Sequence, residues 1–595
     1  MPKKVVPIRY TSRDFDSIRQ DLVNYAKKYY PDTFKDFNEA SFGSLMIDSV
    51  SYVGDILSYY LDYQANESFL DTAIEYGNIQ KIGSQLGYKQ KGSPSITGKV
   101  AIYYTLPVLT NGGPDFSYAP VIKRGTKFST VNNQTFTLIN DVVTNQNTAQ
   151  VIVASEDSIG PTSYAVKVYG DVISGDSRTE TITVGDFIKF RKIKLAGAGI
   201  SEILSIFDSN GNEYFEVDYI SQNLIYKEIP NRGDGKEDAP SIIKPMEVFR
   251  RFVVSYENDG TYIQFGASSD AILSDNYSVI TEPSKTILQK YGKPYVSDEY
   301  FDPSKLLENE NLGIGPSNTT LEVIYRENPL SQNVAVSSLN SVLSALTEFP
   351  NESNLSNLKK LSVINSIEVE NEEPIVGSAP DITSDQLKIR IKDSFGTQNR
   401  IVTMQDYQAF CYMMPSKYGV IKRAKAVRDT DELKRNINLY VISQDSNGYL
   451  STANQAIKNN LKTWINKNRM INDTVDIIDA KVVNFKVEFS ILADLNVNKF
   501  DILNNCIVKL KDYFSSSPEI GESIFLTEIY KNLLKINGVV DVRDVKIKLV
   551  TGSGYSSFGY NFDSFLSPDG KILEVPDNVI MELKYPDVDI KGKVL

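Results

Sequence analysis

The chain has 595 residues, with 63 Lys+Arg against 75 Asp+Glu for a net charge of −12, two cysteines, one tryptophan and no histidine. At about 150 residues per domain this length suggests about four domains, and the 41% hydrophobic fraction is that of folded globular chains. Without histidine, Ser-His-Asp triads, Cys-His dyads, HExxH zinc sites and facial-triad iron sites are excluded. Two cysteines exclude Cys-rich zinc sites, iron–sulfur clusters and a disulfide framework. The net acidity argues against coating nucleic acid. No apolar run follows Lys3-Lys4 and none anywhere reaches the length of about eighteen residues that spans a bilayer, so neither nucleic acid nor membrane is expected as a partner. No cofactor or metal is expected either.

Taken in chain order, the first ninety or so residues read as helices. Thr11 with Asp14 resembles a capping box, and Phe15, Ile18, Leu22, Tyr25 and Tyr29 follow at helical spacing until Pro31. A longer helix is predicted over Phe42–Asn66, roughly 37 Å at 1.5 Å per residue. Met46, Val50, Val53, Leu57, Tyr60 and Gln64 form one seam, and Phe42, Leu45, Ser49, Tyr52, Ile56, Tyr59 and Tyr63 form a second beside it. The polar heptad positions are Asp48, Asp55 and Asp62, predicted to be the wet stripe, and Ser51 and Ser58. A helix apolar over most of its girth needs partners on several sides. Spacing leaves open whether they come from its own domain or from other chains.

After Gly92-Ser-Pro-Ser the period changes to two, as in Val100, Ile102, Tyr104 and Leu106, and short runs with turn signals continue to about residue 290. Asn210-Gly211 and Asp259-Gly260 read as hairpin turns. Residues 294–316 are loop-like and Thr320–Arg326 is a strand. Residues 331–360 and the acidic Glu368, Glu370, Glu372 and Glu373 read as a crossing segment. Helices are predicted over Ser384–Phe395 and Met404–Met414, the latter capped by Thr403 and Asp406 and stopped by Pro415. The last third alternates strands and helices. The expected fold class is therefore α+β multidomain: a helical segment over 1–92, a β-rich body over 93–330, a connecting segment with helices over 331–415 and an α+β sheet domain over 416–595.

Few residues suggest chemistry. Asp208-Ser-Asn-Gly211 and Asp445-Ser-Asn-Gly448 begin like calcium loops, but glycine falls at the fourth position rather than the sixth, so both read as turns. Gly197-x-Gly199 lacks a third glycine and a following helix–strand unit. Lys422, Arg423, Lys425 and Arg428 read as a solvated strand face or an interface rim rather than a nucleic-acid groove, because no stacking aromatics interleave. Cys411, between Phe410 and Tyr412, reads as a buried small hydrophobe. A glycosidase-type carboxylate pair on the β-rich body is the enzymatic alternative, as in a polysaccharide-degrading enzyme or adhesin.

Several segments carry a resemblance. They are Tyr10-Thr-Ser-Arg-Asp-Phe-Asp-Ser-Ile, Phe42-Gly-Ser-Leu-Met-Ile-Asp-Ser-Val-Ser-Tyr-Val-Gly-Asp, Pro120-Val-Ile-Lys-Arg-Gly125-Thr-Lys-Phe, Gly313-Ile-Gly315-Pro-Ser, Gly377-Ser-Ala-Pro-Asp381, Val402-Thr-Met-Gln-Asp406-Tyr and Pro576-Asp-Asn-Val-Ile-Met-Glu582. In order and spacing the chain resembles the Baseplate J-like family of contractile phage tail wedge proteins, in its T-even-type, inner-ring branch. The resemblance implies a non-enzymatic structural subunit of the virion tail baseplate, assembled in the host cytoplasm. Two copies would join other wedge subunits and the sheath initiator through an N-terminal helical bundle. C-terminal domains would pair as a homodimer, linking wedges into a ring around the tail hub that rearranges on sheath contraction. Phe42, Leu45, Met46, Val50, Val53, Ile56, Leu57 and Tyr60 would then form the partner-helix interface.

Overall fold

The computed structural model describes residues 14–30, 41–109, 112–144, 149–158, 160–230, 241–268, 312–328, 333–350, 352, 355–378, 382–429, 436–494, 497–515 and 518–595. Thr11, Pro31 and residues 294–311, on which expectations were placed, lie outside these. N-terminal helices precede a β-rich body and a C-terminal α+β region. The chain forms two compact units, Met1–Gln90 with Asp381–Gln398, and Lys91–Pro380 with Asn399–Leu595.

The first unit is helical. Helix α1 spans Phe15–Tyr29, α2 spans Phe42–Glu67 and α3 spans Tyr76–Gln85. The hydroxyl of Ser41 starts α2 by accepting the Ser44 N–H at 3.1 Å, satisfying one of the donors a helix start leaves unpaired. Ala73, Ile79 and Tyr88 pack with Leu387 and Ile391 of a further helix, Ser384–Thr397.

In the second unit a curved sheet runs in the order 339–344, 127–130, 135–138, 160–174, 97–107, 368–370, with 150–157 paired to 160–174. Its inner face buries Val100, Ile102, Tyr104, Phe128 and Phe136. Buried Asn371 draws the first and last strands together. Its side chain accepts the Leu339 N–H at 2.9 Å and donates to the carbonyls of Ala335 and Glu373 at 2.8 and 2.9 Å. Residues 339–370, rich in Ser and Asn, thus supply two strands to this sheet, a further short strand Thr347–Glu348 and the short helix α4, Asn357–Asn365. A buried amide with all its contacts made is stable in a low-dielectric interior where an unpaired one is costly.

A second sheet has the order 176–184, 319–327, 200–208, 213–216, 251–257, 260–265, 192–194 around Ile206, Leu321, Val323, Tyr325 and Phe265. Asp208 caps its turn by accepting the Asn210 and Asn212 N–H groups, both at 2.9 Å, and Asp259-Gly260 closes the hairpin between 251–257 and 260–265. Gly197 lies under the Tyr325 ring, where an added Cβ would come within 2.5 Å of Cε2, so that glycine answers a packing need.

The C-terminal part holds two α+β layers. With Ser384–Thr397 as α5, helices α6 (Met404–Met413) and α7 (Gln455–Asn466) cover the sheet 423–428, 436–444, 450–451 with 474–479. Helices α8 (Lys499–Phe514) and α9 (Leu526–Leu534) cover the sheet 539–549, 481–493, 579–582 with 590–594. The Thr403–Asp406 capping box is present in full. Of the two expectations for their strand, a solvated face or an interface rim, Arg423 and Lys425 depart from the first. Arg423 is buried with Nε 3.0 Å from Glu519, and Lys425 lies 2.8 Å from Asp577, so both fasten one sheet to the next.

Candidate functional site

The pairing of α1 with α2 inverts the pattern expected of an amphipathic helix. The side chains that α2 buries are Ser44, Ser51, Ser58 and Glu67. Ser51 is 0% exposed, whereas Phe42 is 74%, Leu45 60%, Val53 54% and Tyr60 62% exposed. Met46, Val50 and Leu57 are likewise more than half exposed, and Ile56 is half-buried.

The cause is the close approach of α1. Serines at seven-residue spacing lie along one line of the helix, and their small side chains let a neighbour come near. Ser51 meets its hydroxyl's need within α2 by donating to the Ile47 carbonyl at 2.8 Å. Gly54 continues the line and receives Ile18 of α1. Arg19 adds a polar clasp, with Nε 2.5 Å from Asp48 and Nη2 3.4 Å from the Ser44 hydroxyl. Asp48 is therefore engaged with α1, and Asp48, Asp55 and Asp62 are all half-buried rather than fully wet.

The outward seam is held on a rigid base. At the C-terminal end of α2, buried Glu67 accepts N–H bonds from Ile74 at 2.8 Å and Asn78 Nδ2 at 2.9 Å, with the Glu75 N–H at 3.3 Å. Burial raises the Glu67 carboxyl, and these donors outweigh it, so the group sits below the ordinary glutamate value. On the exposed side Tyr59 stacks on Tyr63 and meets Tyr60 edge-on, at 6.5 and 6.0 Å between ring centres.

Burying a large apolar side chain yields roughly 1.5–3 kcal/mol, and these residues are already about half covered. Covering seven of them offers roughly 5–10 kcal/mol, the same order as the cost of association. A stable complex therefore needs contacts beyond this seam. Contiguous apolar patches of this kind mark interaction surfaces.

Residues 14–84 match the family model described as bacteriophage baseplate protein, N-terminal domain. That stretch contains α1, α2 and the turn carried by Glu67. No curated protein sequence matches the chain. Among solved structures, the six-fold symmetrised anti-feeding prophage (AFP) baseplate aligns at 8% identity and a TM-score of 0.28, over 96% of this chain and 99% of that one. The type VI secretion system TssK-TssF-TssG baseplate subcomplex aligns at 8% identity and 0.25, over 73% and 96%. Both likenesses are too remote to assign this chain a function.

Other candidates resolve into structure. Glu372 accepts the Tyr169 hydroxyl at 3.0 Å and pairs with Lys167, which lowers its carboxyl, while Glu370 accepts the Ser337 hydroxyl at 2.6 Å. These contacts suit a strand edge, and a general acid needs a raised value instead. Asp445 accepts the Asn447 and Tyr449 N–H groups and closes a turn. Cys411 is buried, and desolvation pushes its thiol up to about 12. Among the described residues no cluster of three or more acidic or cysteine side chains is placed to hold a metal ion, and no helix is long and apolar enough to cross a membrane.

Proposed function

We propose that the chain is a non-enzymatic structural subunit of a contractile phage tail baseplate. Phe42, Leu45, Met46, Val50, Val53, Ile56, Leu57 and Tyr60 form its contact with helices of other wedge subunits. The observation that carries this reading is the inversion of α2, with small polar residues covered and the apolar seam bare. The match of residues 14–84 to a baseplate N-terminal domain supports it. The seam becomes part of a bundle that two copies share with a larger wedge neighbour and that docks the sheath initiator. Residues 380–595 self-associate, linking wedges into a ring around the tail hub, and the ring rearranges when the sheath contracts. The division at residues 92, 330 and 415 separates the partner-bundle region, the β-rich body, the connecting segment and the self-association domain.

The test replaces Val53 and Leu57 by Asp. Co-purification with wedge partners is lost while the β-rich body keeps its unfolding transition; unaltered assembly overturns the reading. Light scattering of the full-length Val53→Asp/Leu57→Asp chain that returns a monomer at tens of micromolar rejects self-association through residues 380–595.

A further inference from the structure

We propose that an open groove along α9 binds an acidic segment of a partner protein that carries a bulky apolar side chain. The groove encloses about 480 Å³, with Leu526, Tyr530 and Leu534 as its floor and Lys531, Lys535 and Lys571 around it. It lies within the C-terminal α+β layer and is independent of the α2 seam.

Two features make the groove a prepared surface. Its floor is fixed from beneath, because Ile529 and Leu533 are fully buried on the other side of α9 and the Tyr530 hydroxyl accepts the Val545 N–H at 3.1 Å. Its far wall is a built turn, in which the Ser567 hydroxyl accepts the Lys571 and Ile572 N–H groups at 3.2 and 3.1 Å and donates to Asp569 at 2.6 Å. A surface held in its binding shape loses less entropy on association.

Charge selects the occupant. The chain carries a net −12, yet three lysines ring this groove. Asp569 lies 3.7 Å from Lys571, and among the described residues no ion pair engages Lys531 or Lys535. An apolar floor with a cationic rim matches an apolar anchor flanked by carboxylates, and opposite charges across the contact speed encounter and set orientation. Leu534, Thr527 and all three lysines are exposed, so the groove is open along its length. That shape suits a peptide laid across it, whereas an acyl chain would keep one side in water.

The experiment uses the full chain and a fluorescein-labelled synthetic peptide with a central Phe-Leu pair flanked by glutamates, read by anisotropy. Binding is expected, weakening as NaCl is raised. Lys531→Glu with Lys535→Glu weakens it at least about tenfold with an unchanged unfolding midpoint, and Leu534→Asp does the same. The Val53→Asp/Leu57→Asp protein binds the peptide normally, which separates this site from the α2 reading. Equal binding of a peptide with lysines in place of the glutamates, or indifference to the lysine substitutions, overturns the proposal. So does failure to bind the peptide, whether or not decanoate binds in its place.

Discussion

Ile18 of α1 places its Cδ1 3.2 Å from where a Cβ on Gly54 of α2 would stand. That contact sets how near the two helices come. Gly54→Ala is expected to be close to neutral, because the gain of up to about 1 kcal/mol in helix propensity offsets a small shift of Ile18. Gly54→Leu and Ser51→Leu overfill the contact at a cost of about 1–3 kcal/mol and free α1. Limited proteolysis at Lys27 and Lys28 checks this: cleavage accelerates in the two leucine variants and stays slow in Gly54→Ala.

The turn after α2 depends on an ionised carboxylate. Glu67 has its value lowered in the folded chain, so its stabilisation is fully present above the unfolded glutamate value of about 4.3 and is lost as pH falls through the lower folded value. Protection of the Ile74 and Glu75 amides, corrected for intrinsic exchange, should hold at neutral pH and decline only in that acidic window. Glu67→Gln should weaken protection of both amides at neutral pH, since a neutral amide oxygen is the poorer acceptor.

Neither cysteine should react in the folded protein. Burial pushes Cys411 to about 12 and Cys506 to about 11, and both are buried. A thiol reagent at neutral pH is expected to label neither until denaturant unfolds the second unit, when both label together. Rapid labelling of Cys411 under native conditions would contradict the packing of α6.

Arg423 and Arg428 share a strand and differ in environment, the first buried against Pro518 and Glu519 and the second exposed. Arg423→Ala should destabilise by about 1–3 kcal/mol through lost hydrogen bonds and lost cover for its stem. Arg428→Ala should fall within about 0.5 kcal/mol of the parent. Denaturant midpoints of the two variants distinguish them.

Much of the architecture was legible in the residues because its signals are local. The extent of α2, the Thr403–Asp406 cap, the turns at Asp208 and Asp445 and the order of strands and helices in the last third depend on neighbours a few positions away. The basic strand Arg423–Arg428 was legible as a strand but not as a fastening, because Glu519 and Asp577 lie far along the chain.

Heptad spacing determined that the serines of α2 share one line and its large apolar residues others. It could not determine which line the chain itself would cover. Only the packing of α1 decided that, and it chose the serines, since a short helix clasped by Arg19 and seated on Gly54 needs small residues at close range more than it needs apolar area. Periodicity says which side chains face the same way; the supply of neighbouring surface decides which of those faces is covered.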